Sequence, residues 1–139
     1  MIKLARNQIF QIDRPIHQHR VMIDYLRMMV IGGTGATERL HAVFLDQDRV
    51  MICDTPLGQA RNGALSFRMR ELFEKALSAG ASCMIVAHNH PSGQCRPSSY
   101  DISATKRLKE IAWALDIELL DHLIFTTSSV YSMRAGGDL

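Results

Sequence analysis

Two histidines, a serine and an aspartate lie close together in the second half of the chain. His88 and His90 are separated by one residue, and Ser98 and Asp101 follow after a loop bounded by prolines. In an extended chain, residues two apart point to the same side, so both imidazoles can face one point. Imidazole and carboxylate are ordinary ligands of Zn²⁺, and three protein ligands leave a fourth position for a water. The stretch therefore predicts a catalytic zinc site formed by His88, His90 and Asp101.

The residues before the first histidine are wholly apolar. The run Cys-Met-Ile-Val-Ala over residues 83–87 is typical of a buried central strand. The histidines then fall at the C-terminal end of that strand. Open α/β sheets hold their ligands at this end, which favours a functional site here.

Ser98 and Asp101 also have a purely structural interpretation. A Ser-x-x-Asp sequence after Pro97 is a signature of a helix N-cap, with an acidic residue at the third helical position. A carboxylate in the first turn of a helix can still face a site in front of that helix. The two interpretations are therefore compatible.

The rest of the chain alternates between helical and extended patterns. A tight turn at Gln47-Asp48 predicts a β-hairpin, and the overall order predicts an α/β fold with a single mixed β-sheet flanked by helices. The helices are expected over residues 17–29, 66–79 and 98–114, and the further strands over residues 40–46, 49–54, 118–125 and 130–134.

The same patterns predict four details of these elements. Residues 56–63 are expected to form a loop after the hairpin, and Ser66 is expected to cap the second helix. Leu77 and Ile102 fall on the apolar stripes of the second and third helices. Both are therefore expected to face the core.

Length and composition indicate one globular domain. The chain has 139 residues, of which 47% are hydrophobic and 22% charged, with a formal net charge of +2. We interpret residues 1–16 as an N-terminal arm and residues 17–139 as the domain. The sequence has no basic run and no interleaving of basic and aromatic residues, so composition does not support nucleic-acid binding. No apolar run reaches about 18 residues and no signal-peptide core is present, so we expect no membrane span and a cytoplasmic location.

The chain resembles a known family at these residues. His88-x-His90, seven residues, Ser98, two residues and Asp101 match the JAMM motif of the MPN/JAB metallopeptidase-like superfamily. The wording His-Asn-His-Pro-Ser-Gly, and the segments 70–77, 120–124 and 132–134, are similar to its bacterial RadC branch. The resemblance extends over residues 20–134, nearly the whole chain.

The resemblance implies a fold and an activity. It implies a layered core like that of cytidine deaminases, a Zn²⁺ cofactor, and hydrolysis of an amide or isopeptide bond in a peptide or protein substrate. RadC-like proteins carry a helical region before this domain. In this chain we expect that region to be absent or reduced to the arm.

The resemblance also implies the residues that move protons. The family's general base is a glutamate just before the first strand of a hairpin, and Glu38 occupies that place. It would take a proton from the metal-activated water and pass it to the leaving amine. Ser98 would donate a hydrogen bond to the developing oxyanion. Asp54, in the second strand of the hairpin, is the alternative base.

His122 lies in the middle of a predicted strand, beside Asp121. Neighbours in a strand face opposite sides, so these two side chains cannot both enter one site. A core histidine with a satisfied hydrogen bond is favoured over a supporting role beside the zinc.

Other functions stay open. The RadC name suggests a non-catalytic partner in DNA repair. A metal-dependent nuclease is conceivable because an activated water also attacks phosphate. The tripeptide His88-Asn89-His90 spells HNH, but the HNH nuclease signature is spread over a ββα element and is not contiguous. An unpaired sheet edge, formed by the hairpin or the last strand, favours a homo-oligomer.

Overall fold

The computed structural model describes residues 16–31, 37–60 and 68–139 of the chain. Most of the predicted arm, and Ser66 with its predicted cap, lie outside these ranges. Within them the secondary structure alternates between helices and strands. The helices are α1 (Ile16–Ile31), α2 (Met69–Ser78) and α3 (Ser99–Ala114), and the strands are β1 (Glu38–Leu45), β2 (Met51–Ala60), β3 (Cys83–Asn89), β4 (Glu118–Phe125) and β5 (Val130–Ser132).

The strands form one mixed sheet in the order β2-β1-β3-β4-β5. All neighbouring pairs are antiparallel except β3 and β4, which are parallel and joined through α3. β3 lies at the centre and every one of its residues is buried. This position explains its continuous apolar sequence, because a central strand is covered on both faces. The predicted α/β fold with a single mixed sheet is confirmed.

Each face of the sheet packs against different helices. On one face, Met84 and Val86 of β3 join a core with the buried residues of α2 and α3. On the other face, Ile85 and Ala87 join a core with the buried residues of α1. Side chains alternate between the faces of a strand, so the position of a residue in β1 or β3 decides which helices it meets. By this alternation His88 belongs to the face of α2 and α3.

β2 extends further than the sequence suggests. The loop predicted from residue 56 is wrong for residues 56–60, which continue the strand. The register with β1 shifts between Arg39 and His41, and Gly58 adopts a positive φ of 85°, as in a bulge. Pro56 is tolerated because β2 is an edge strand of this sheet, where one side of the main chain needs no partner.

Two apolar residues expected in the core are largely exposed. Leu77 and Ile102 are 55% and 41% exposed. On α3 the buried stripe consists of Asp101, Thr105, Leu108 and Ala112. The inward position of the first turn is therefore occupied by a carboxylate, and Ile102 is rotated to its side. An apolarity pattern cannot anticipate this, because it assigns the polar residue to solvent.

None of the helices in the described ranges has the length and apolar character needed to cross a bilayer.

Candidate metal centre

The C-terminal end of β3 and the first turn of α3 bring the three predicted ligands together. His88 is the last but one residue of β3, in register with Leu40 of β1 and Ile124 of β4. His90 follows the strand, and its amide donates to the carbonyl of Phe125 at 2.8 Å. Asp101 lies in the first turn of α3 and is 2% exposed. Main-chain pairing thus positions both histidines before the loop leads to the helix.

The cap of α3 orients the third ligand. The Ser98 hydroxyl accepts a hydrogen bond from the Asp101 amide at 3.1 Å, and the Ser98 amide donates to Oδ2 of Asp101 at 2.8 Å. This is a reciprocal capping box. Ser98 and Asp101 therefore form the predicted N-cap, and the same carboxylate faces the histidines.

Three ligand atoms converge at this point. Nε2 of His88 lies 2.9 Å from Nε2 of His90, and the two nitrogens lie 3.4 and 3.0 Å from the carboxylate oxygens of Asp101. Ligands at zinc distances of about 2.0–2.1 Å in a tetrahedron are separated by about 3.3 Å. Among the described residues, His88, His90 and Asp101 are the group whose atoms are placed to hold a metal ion.

Hydrogen-bond acceptors of His90 and Asp101 face each other unless a second proton or a metal ion lies between them. Nδ1 of His90 lies 2.8 Å from the carbonyl of Gln94, which can only accept, so Nδ1 carries a proton. Neutral His90 then directs a lone pair from Nε2 toward the Asp101 carboxylate. The hydrogen bond with Asp101 raises the pKa of His90. A second proton on His90 or a metal ion relieves the repulsion between these acceptors.

The Asp101 carboxyl is held in its charged form. Burial by itself would raise its pKa, but hydrogen bonds with His88 and His90 outweigh burial, and the pKa lies well below its ordinary value. Metal ligands must be deprotonated, and this environment favours the carboxylate. The carboxylate is therefore stabilised by positive charge beside it, which a protonated histidine or a metal ion can supply.

A buried chain of polar side chains supports His88 from behind. Nδ1 of His88 lies 2.7 Å from Nε2 of His122, and Nδ1 of His122 lies 2.6 Å from the hydroxyl of Thr105. Thr105 in turn lies 3.6 Å from the sulfur of Met133. All four side chains are fully buried, and burial holds the pKa of His122 well below its ordinary value. His122 is therefore neutral.

His122 is a core histidine with satisfied hydrogen bonds, as the sequence favours, but one of its partners is a candidate metal ligand. The contact arises because β3 and β4 are parallel neighbours with Val86 opposite His122. Thr105 is part of the sequence resemblance to RadC-like proteins, and helical spacing turns it inward, but the sequence does not pair its hydroxyl with His122. Strand pairing, rather than residue type, brings this chain behind the site.

Glu38 lies at the edge of the same site. It is the first residue of β1, two residues before Leu40, and its side chain therefore falls on the same face of the sheet as those of Leu40 and His88. Its carboxylate adds to the effect of Asp101 in raising the pKa of His90. Within the described ranges, Oε2 of Glu38 is buried and has no hydrogen-bond partner. A buried carboxylate oxygen without a partner is costly, so it marks a place for a water or a substrate proton.

The alternative base, Asp54, lies elsewhere. It pairs with Val43 on β1, whose side chain belongs to the core under α1. Its Oδ2 accepts from the Tyr25 hydroxyl at 2.6 Å and lies 2.7 Å from Nε2 of His41. The sheet therefore separates Asp54 from the candidate metal ligands.

Comparison with known proteins agrees with the fold and the motif. A family model described as the RadC-like JAB domain matches residues 16–138. UPF0758 proteins of Paraburkholderia xenovorans and Rhodobacter capsulatus are 36% and 32% identical over 122 and 136 residues, or 88% and 97% of this chain. These matches cover 47% and 62% of the relatives, so the chain spans about half the length of the curated relatives it matches. The chain belongs to the RadC-like JAB domain family.

Proposed function

We propose that this chain is a zinc-dependent hydrolase of the JAMM type that cleaves an amide or isopeptide bond in a peptide or protein. One observation carries the proposal. Two imidazole nitrogens and a carboxylate converge within 2.9–3.4 Å of one another, and on the same face of the sheet a buried carboxylate oxygen of Glu38 has no hydrogen-bond partner among the described residues. Family membership supports it.

The donor set suits zinc. His88, His90 and Asp101 offer two imidazoles and one carboxylate, the composition of open catalytic zinc sites. His122 and the Gln94 carbonyl each hold the Nδ1 side of one imidazole, so both rings present Nε2. Such outer partners fix the tautomer and the orientation of a ligating ring. A zinc ion held there would supply Lewis-acid chemistry and lower the pKa of a coordinated water to about 7.

Glu38 and Ser98 supply the proton transfers and the oxyanion contact in this proposal. Glu38 takes the proton of the attacking water and returns it to the leaving amine, which an amide needs because an amine anion leaves poorly. The Ser98 hydroxyl accepts a hydrogen bond from the Asp101 amide. The hydroxyl hydrogen of Ser98 is therefore free to be donated to the developing oxyanion.

The proposal is tested first by metal content. We expect about one zinc per chain in the purified protein and none in His88→Ala, since three ligands would become two. The loaded protein is then assayed against peptide and isopeptide libraries, with zinc-loaded Glu38→Gln as the control of strongly reduced activity. Absence of zinc after reconstitution at neutral pH contradicts the proposal. Equal turnover by wild type and Glu38→Gln contradicts the role of Glu38.

A further inference from the structure

The middle residue of the His-Asn-His tripeptide has a defined environment that the proposed chemistry does not use. Asn89 is the last residue of β3 and is 6% exposed. By the alternation of the strand it faces away from the metal site, on the side of Ala87 and the core under α1. It is therefore not placed to be a ligand.

Asn89 instead binds the main chain of β1 on both sides of Glu38. Oδ1 of Asn89 accepts from the Arg39 amide at 2.6 Å, and Nδ2 donates to the Thr37 carbonyl at 3.1 Å. The orientation of the side-chain amide is unambiguous, because an amide N–H can only donate and a carbonyl can only accept. Both hydrogen-bonding groups of the side chain are used.

These two bonds replace strand pairing where it ends. The ladder between β1 and β3 ends with the pair Leu40 and His88, one residue before the end of β3. Beyond it the β3 main chain turns to β4, as the bond from the His90 amide to the Phe125 carbonyl shows. Without Asn89, this side of the β1 main chain around Glu38 would lose its connection to β3.

We infer that Asn89 is a positioning residue for Glu38. Its side-chain amide takes the place of a further main-chain pair between β1 and β3 and fixes the main chain on both sides of the candidate base. The tripeptide His88-Asn89-His90 thus provides two candidate metal ligands on one face of the sheet. On the other face it provides the side chain that supports the main chain of Glu38. The catalytic consequence of this inference rests on the proposed function. The two hydrogen bonds of Asn89 do not depend on it.

The test uses Asn89→Leu, which keeps the size of the side chain and removes both bonds. A control is Asp46→Ala, which directly follows the far end of β1 and whose Oδ1 accepts from the amides of Asp48 and Val50. Each variant is examined by amide hydrogen exchange, zinc affinity and steady-state kinetics. Asn89→Leu is also combined with Glu38→Gln in a double-mutant cycle.

We expect faster exchange of the Arg39 amide in Asn89→Leu and unchanged exchange in Asp46→Ala. Zinc affinity stays at the wild-type value, because neither candidate histidine loses a partner. In the wild-type background kcat falls by about 10²-fold with KM unchanged, the cost of a misplacement of about 1 Å. In the Glu38→Gln background Asn89→Leu causes no further loss, because there is no base left to position.

Three results would overturn the inference. An Arg39 amide that exchanges at the wild-type rate shows that the side chain does not hold β1. Loss of zinc affinity shows that Asn89 supports the ligands rather than Glu38, and an equal loss of kcat in both backgrounds shows a general structural role. If the wild type hydrolyses no substrate, the proposed function fails by itself, and hydrogen exchange and zinc affinity still decide whether Asn89 holds β1.

Discussion

Two clusters of histidine and aspartate lie on opposite faces of the same sheet. The first is the candidate metal centre of His88, His90 and Asp101. The second consists of His41, Asp54 and Tyr25, with Oδ2 of Asp54 within 2.6–2.7 Å of the tyrosine hydroxyl and the His41 ring. Both are well buried and combine imidazole with carboxylate, so residue type alone does not distinguish them.

The difference lies in the balance of donors and acceptors. In the second cluster, the Tyr25 hydroxyl and Nε2 of His41 can each donate a hydrogen bond to the Asp54 carboxylate, so no cation is required. In the first cluster, the Gln94 carbonyl occupies the protonated side of His90, and lone pairs face a carboxylate. The first cluster is a candidate metal site because acceptors converge there in excess, and not because it contains histidine and aspartate.

The largest expected difference between the clusters is in metal binding. His88→Gln should lose the zinc and with it all hydrolysis, because an imidazole ligand is replaced by an amide, which is a weak ligand. The matched variant His41→Gln should keep the wild-type zinc content. Zinc per chain is measured by mass spectrometry of metals, and zinc loss in both variants would remove the distinction.

The next largest effect concerns the two carboxylates considered as the base. Glu38→Gln should lower kcat by about 10²–10⁴-fold, the usual contribution of a general base, while zinc stays bound. Asp54→Asn should leave kcat near the wild-type value, since the sheet separates Asp54 from the site. Comparable losses in the two variants, with zinc retained in both, would mean that the sheet does not separate their roles.

A smaller effect is expected behind His88. Thr105→Val keeps the shape of the side chain but removes the acceptor for His122, the direct partner of His88. Loss of a ligand's direct partner weakens metal binding by about 10–100-fold, so we expect an effect at the lower end of this range from Thr105, which is one contact further away. The control is Thr126→Val, another buried threonine, whose hydroxyl accepts from the Ser129 amide. Zinc affinity is measured by chelator competition. Equal weakening in both variants would point to general loosening of the fold.

The smallest effect on the metal centre is expected from the second cluster. Tyr25→Phe removes one donor to the Asp54 carboxylate and should lower the free energy of unfolding by about 1.5–3 kcal/mol. Zinc affinity should not change. Urea unfolding of the zinc-free protein measures the first quantity and chelator competition the second. A change in zinc affinity would show that the two faces are coupled through the sheet.

Much of the fold follows from local patterns in the chain. The apolar run before His88, the turn at Gln47-Asp48 and the Ser98-Asp101 cap each specify an element whose formation depends on neighbouring residues. The errors occur where tertiary position overrides the pattern. Pro56 is accommodated in an edge strand, and Ile102 is exposed because Asp101 occupies the inward position on α3.

The spacing of His88, His90, Ser98 and Asp101 was enough to predict a group of metal ligands, because a strand end and a helix cap are short-range structures that the chain encodes locally. The roles of the more distant residues depended on strand pairing. Antiparallel pairing of β1 with β3 places Glu38 on the same face of the sheet as His88, and parallel pairing of β3 with β4 brings His122 behind His88. A one-residue shift in register would move each of these side chains to the other face, so their positions relative to the candidate ligands are decided only when the sheet is assembled.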